Sequence, residues 1–324
     1  MLSIASHISK SSKNLREFVC FKQFCHSLKF WSKSNDSSKA VVKTNGKVSL
    51  AYYSLDPHYL TSNKLNPIII YHSLLASKEM FQNSVKELAQ KTGRIVYLLD
   101  MRNHGESPHT SFESSHLNQI SKDVIDFMDE FGINKAILIG HGVGSLAMLR
   151  TSLLFNEKVD KVVAIDIMSM NLPIKGPKLV DRMLFIVSAL PQYISLSNAR
   201  LIAKQRLSRY FADKILLHYI LLNLTQDTNG FIKWRFNLPV IRQIVIKGID
   251  RSMTYDNQFS GDVLILSGKY GTMTANNYTQ LKQSFPNSKF DFYHRFRHYL
   301  HNEKPKQLVN VLTRFIGKAD KKKK

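Results

Sequence analysis

Short apolar runs alternate with amphipathic stretches from about residue 47 onward. "KVSLAYYSL" (47–55) alternates apolar and polar positions and predicts an early strand. "PIIIYH" (67–72), "RIVYLLD" (94–100), "KAILIG" (135–140) and "KVVAIDI" (161–167) are continuous apolar runs of strand length, as expected for strands buried on both faces. Between the second and third of these strands, "KEMFQNSVKELAQKTG" has a helical period and ends at a glycine. "NQISKDVIDFMDEFGI" (118–133) repeats the pattern and places Ile120, Val124, Phe127, Met128 and Phe131 on one face. A further helix runs from about Val143 to Phe155.

Strand and helix in alternation imply an α/β fold, with a mostly parallel central sheet and helices on both faces. The rhythm breaks after Asp166. Residues 171–255 carry long helical patterns such as "SNARLIAKQRLSRYFADKILLHYILLNL" and no core strand. "GDVLILSG" (261–268) and "SKFDFYH" (288–294) resume the sheet, and "KPKQLVNVLTRFI" (304–316) closes with a helix. The expected organisation is a core of residues 46–170 and 256–317. An α-helical cap, 171–255, is inserted after the sixth strand, over the carboxyl edge where α/β sheets place ligands.

Charge changes the picture at the ends of the chain. The formal net charge is +22, of which residues 1–47 contribute +7 and residues 318–324 contribute +4. The first 45 residues are rich in Ser and Lys and nearly free of acids, which is the composition of a mitochondrial transit peptide; they are expected to be disordered. The last seven residues read as a basic tail. Both cysteines, Cys20 and Cys25, lie in the leader-like segment, so a mature chain without it has no disulfide framework, cysteine metal site or cysteine nucleophile. No window approaches the roughly 18 apolar residues of a membrane span. Zinc-finger spacing and recognition-helix signatures are missing, which argues against nucleic acid as the partner. No metal site and no dinucleotide fingerprint is present, so no cofactor is expected.

The chemistry centres on "IGHGVG" (139–144), a strand, a sharp turn and then a helix. This is the layout of the nucleophile elbow G-x-S-x-G, but Gly142 stands where the serine belongs. With this motif, "HSLLASKEMF" (72–81), "LLDMRNHGESPH" (98–109), "NLTQDTNGFIKWRFNL" (223–238) and "FRHYLHNEKP" (296–305), the chain resembles the α/β-hydrolases. More narrowly, it resembles the mitochondrial group called alpha/beta-hydrolase domain-containing protein 11 and its bacterial esterase relatives. The match runs in order over nearly everything from residue 48 to 317. The resemblance implies hydrolysis of carboxylic esters and lipids.

It also implies roles for particular residues. Gly142 takes the nucleophile position, His298 the base position and Asp166 the acid position, while Leu74 and Val143 supply the backbone donors of an oxyanion hole. His72, Ser73, His141 and Tyr270 line the pocket. The sequence departs from the family at Ser73, Gly142, Tyr270 and Arg297, all on loops of the implied site. Pro239 occupies a cap position where some relatives carry an acid. Asp100, Arg102, His104 and Ser107 read as the scaffold of a turn, and Ser145, three residues past the elbow tip, should point away from it.

Three functions compete. The first is a member of a mitochondrial ester and lipid hydrolase family, located in the matrix, that has lost serine catalysis and binds an acyl-ester or lipid-like molecule or a mitochondrial protein partner. The second is a working esterase or lipase with an unrecognised nucleophile or a misread codon 142. The third is peripheral membrane binding through the basic cap, where Lys175, Lys178, Arg182, Lys204, Arg206 and Arg209 sit among apolar residues.

Overall fold

The computed structural model describes residues 31–32, 47–57, 65–167, 176–191, 193–211, 214–249, 257–268, 275–293 and 304–317. In chain order the first part of the core comprises β1 (Trp31–Ser32), β2 (Tyr52–Leu55), β3 (Ile68–Tyr71), α1 (Gln82–Thr92), β4 (Val96–Leu99), α2 (Leu117–Glu130), β5 (Ala136–His141), α3 (Val143–Leu154) and β6 (Val159–Ile165). An insertion follows with α4 (Gly176–Ser188), α5 (Leu196–Leu207), α6 (Lys214–Leu222), β7 (Leu224–Gln226), β8 (Ile232–Trp234) and α7 (Leu238–Lys247). The chain then returns to the core with β9 (Asp262–Gly268), α8 (Ala275–Ser284), β10 (Ser288–Tyr293) and α9 (Pro305–Ile316).

The sheet has the order β1-β2-β4-β3-β5-β6-β9-β10. It is parallel from β4 to β10 and antiparallel where β2 meets β1 and β4. The runs of β3 and β5 are buried at every position, because helices cover both faces. On one face α2 and α3 pack Val124, Phe127, Met128, Leu146 and Leu149 against the sheet. On the other, α1 and α9 contribute Val85, Leu88, Leu308 and Leu312. Helix α1 ends where the glycine predicted it: Gly93 takes φ 65° and its N–H reaches the Ala89 carbonyl.

Trp31 and Ser32 pair with Ser54 and Tyr53 as an antiparallel edge strand. Two expectations need correction. Phe131 falls just past the end of α2 and is 37 % exposed, although its ring still meets those of Tyr52 and Phe127. The insertion is not purely helical, since β7 and β8 form an antiparallel hairpin. Its turn is built on Asp227, whose Oδ1 accepts from the N–H groups of Asn229 and Phe231, and on Gly230 at φ 84°. The insertion has its own core, in which Val180, Met183, Ala203, Leu217, Ile220, Trp234 and Ile241 come together.

Candidate active site

The elbow follows from close packing. Strand β5 runs straight into α3, and this needs almost no side chain at the crossing. A Cβ on Gly140 would lie 2.3 Å from the Gly144 carbonyl oxygen, and one on Gly144 would lie 2.5 Å from that of His72. Both contacts are with backbone, so glycine is required at each position. Gly142, between them, has φ 57° and ψ −117°, a conformation that side-chain-bearing residues adopt only under strain. Its N–H donates to the Ile165 carbonyl at 3.0 Å, tying the tip of the turn to the end of β6.

Ser145 lies in the first turn of α3 and is fully buried. Its Oγ sits 2.7 Å from the Gly140 carbonyl oxygen and 2.9 Å from that of Ile165. The hydroxyl therefore faces back into the strands. Val143 is the first residue of α3, where an N–H has no acceptor within the helix.

The loop after β3 carries the second set of residues. His72 is buried, and its Nε2 accepts from the Met101 N–H at 3.0 Å. The proton of this neutral ring is thus on Nδ1, which donates to the Ser73 carbonyl at 2.7 Å. His104 behaves alike: its Nε2 accepts from the Leu75 N–H at 3.2 Å, and its Nδ1 donates to the Arg102 carbonyl at 3.0 Å. Burial depresses both imidazoles to about 3, so both are neutral at ordinary pH. Leu75 takes φ 57°, and the His104 contact helps to hold that turn. The neighbouring Leu74 N–H is bonded to no residue among those described.

Asp166 follows β6 directly, one residue beyond the carbonyl that holds Gly142. It is buried with φ 49°, which an aspartate tolerates better than most residues. Its N–H donates to the Leu266 carbonyl at 2.7 Å, and its Oδ1 lies 3.5 Å from the Gly268 nitrogen. The fold thus gathers Gly142, Val143 and Asp166 at the carboxyl end of the sheet, with the Tyr71–His72 backbone packed against the start of α3. His141 is buried beside the Phe81 ring. His298 and Tyr270 lie outside the described residues, as do Arg297 and His301. Pro239 opens α7.

Asp100, Arg102, His104 and Ser107 do form the turn after β4. Asp100 is fully buried and accepts from the Lys78 N–H at 2.7 Å, the Glu106 N–H at 2.9 Å and the Lys78 ammonium at 2.6 Å. Lys78 also reaches Glu106 at 2.8 Å and covers the Tyr53 ring. Burial alone would lower its pKa, but Asp100 and Glu79 outweigh this and hold it above the usual lysine range. Arg102 makes a two-point pair with Asp123. Lys78 is the residue that sequence reading missed, because a lysine opening an amphipathic helix reads as a solvated charge. Its partners lie 22 and 28 positions away.

The same loop anchors the insertion. Arg235 reaches Glu79 at 3.5 Å, Asn237 donates to the Asn103 side chain at 2.9 Å, and His109 Nε2 lies 3.0 Å from the Arg235 carbonyl oxygen. Among the described residues no His/Cys/Asp/Glu group has the arrangement to hold a metal ion.

Residues 66–305 match the family model for the alpha/beta hydrolase fold. The sn-1-specific diacylglycerol lipase ABHD11 of Xenopus tropicalis is 30% identical over 256 residues, covering 78% of each chain. A probable alcohol acetyltransferase of Cyberlindnera jadinii is 27% identical over 310 residues, covering 86% of each chain. Among solved structures, a marine microorganism esterase superposes with a TM-score of 0.67 at 23% identity, over 83% of this chain and all of its own.

Proposed function

This chain belongs to the α/β-hydrolase fold family, and from that premise we propose that it has lost serine-based hydrolysis while keeping the family's binding site. The observation that carries the reading is the elbow at residue 142: its strained backbone geometry is retained, and it bears no side chain. Glycine offers no atom to attack a carbonyl. Ser145, the nearest hydroxyl, is directed into the backbone of β5 and β6 and is closed to solvent. Loss of the nucleophile alone costs on the order of 10⁶ in turnover in a comparable serine hydrolase.

In this reading Asp166 and His298 hold the acid and base positions without a nucleophile to serve. Leu74 and Val143 offer backbone N–H groups to the carbonyl oxygen of a bound acyl group, and His72, Ser73, His141 and Tyr270 shape the space around it. The ligand is an acyl-ester or lipid-like molecule. A lipase and an acetyltransferase among the relatives support acyl chemistry as the common theme. The basic, serine-rich N-terminus supports a mitochondrial matrix location, with a protein partner there as the second candidate for what the site or surface binds.

A fluorophosphonate probe tests the loss of catalysis. No specific labelling is expected, and an adduct that disappears in His298→Ala would sink the proposal. The competing reading, an active esterase with codon 142 misread, draws support from the retained elbow conformation. Resequencing that codon separates the two. The Gly142→Ser variant then asks whether the rest of the machinery still works: turnover of short acyl esters means that it does, and no turnover points to Ser73 or Arg297 as further lesions.

A further inference from the structure

Most of the large apolar side chains exposed among the described residues belong to the insertion, although that segment has a buried core of its own. Two of them, Phe185 and Tyr210, form a group with cations. The Arg182 guanidinium lies 5.5 Å from the Phe185 ring and 5.6 Å from the Tyr210 ring, and it donates to the Tyr210 hydroxyl at 3.1 Å. Arg209 lies 5.3 Å from the same tyrosine ring. A second pair, Tyr193 and Phe231, places its rings 6.3 Å apart, and Tyr193 is 77 % exposed. Between residues 176 and 249 the chain has eleven Lys and Arg against three Asp and no Glu, a formal +8.

We infer that this outer face of the insertion docks on the surface of a bilayer containing anionic phospholipid. Aromatic rings enter the boundary between headgroups and acyl chains, while neighbouring guanidinium groups meet the phosphates. Each cation near such a surface adds to the attraction, which salt weakens. A protein partner fits less well, because protein interfaces are depleted in lysine whereas the insertion exposes Lys178, Lys204 and Lys233 beside these rings in sequence. No helix among the described residues is long and apolar enough to cross a membrane, so the docking is peripheral. None of these residues belongs to the elbow, and the inference stands whether or not the chain hydrolyses esters.

Flotation of the full chain with vesicles tests it, using phosphatidylcholine alone or mixed with about one-third phosphatidylserine. Binding to the mixed vesicles at low salt, falling as salt rises, is the expected result. The double variant Phe185→Ser/Tyr210→Ser, checked for an unchanged melting curve, should bind roughly tenfold more weakly. Neutralising the terminal lysines instead (Lys321→Gln to Lys324→Gln) should leave most of the binding in place. The inference is overturned by no flotation at low salt, or by equal binding to neutral vesicles. It is also overturned if the double variant binds as well as the parent, including the case in which it only converts a dimer to a monomer and so marks a subunit interface.

Discussion

Two sharp turns leave the carboxyl ends of parallel strands in this protein, and they are filled in opposite ways. The turn after β4 is packed with charge: Asp100, Lys78, Glu106, Arg102 and Asp123 are paired within it. Its glycine, Gly105, has no room for a side chain, since a Cβ there would lie 2.2 Å from the Asp100 carboxylate. The turn after β5 is packed with backbone, and its tip, Gly142, is bare. The first turn is a structural part that tolerates little change. The second holds a conformation that would strain a residue with a side chain and that glycine accepts. On the proposed loss of serine catalysis, glycine at this tip keeps the elbow geometry without the cost that a side chain would carry there.

The largest test of this contrast lies in the charged turn. Lys78→Met leaves Asp100 buried without its cation, and urea denaturation should show a loss of about 3–5 kcal/mol. Gly144→Ala, on the elbow side, drives a methyl group against the His72 and Tyr71 carbonyls. It should cost about 3 kcal/mol, because backbone cannot step aside as a side chain would.

Acid probes the charged turn as a whole. His72 and His104 have folded values near 3 against an ordinary 6.5, so the unfolded chain binds more protons between those limits. Stability is therefore complete above pH 6.5 and falls as pH drops toward 3. Burial lifts Asp123 to about 6 in spite of Arg102, and this group acts in the reverse sense between about 4 and 6. Two histidines against one carboxylate leave a net loss of about 2–3 kcal/mol from pH 7 to pH 5, measurable as a falling denaturation midpoint. The smallest effect belongs to the bare tip. Gly142→Ser should lower stability by only about 1–2 kcal/mol, the cost of the positive φ. A variant more stable than the parent would remove the strain argument.

Much of this fold could be read before any coordinates. β3, β4, β5, β6 and β9 announce themselves as unbroken apolar runs, and α1 and α2 by their 3.6-residue period and glycine stops. The elbow was equally visible, because close packing forces glycines at fixed spacing. The hairpin β7–β8 escaped: strands of three residues are too short to display alternation, and only the Asp227–Gly230 turn chemistry marks them. Lys78 escaped because a residue's charge carries no record of a partner brought to it by tertiary folding. Trp31–Ser32 escaped because two residues on a sheet edge make no pattern at all.

The place of the insertion in the sheet has a consequence for how the protein is made. Strand β6 ends at Ile165, and the neighbour that completes its outer side, β9, begins only at Asp262. Until those residues arrive, whether from a ribosome or from a translocation pore, the growing sheet carries an open edge of the kind that pairs with other chains. The insertion arrives during the wait, and most of its core comes from its own residues, with Leu75 of the loop after β3 completing it.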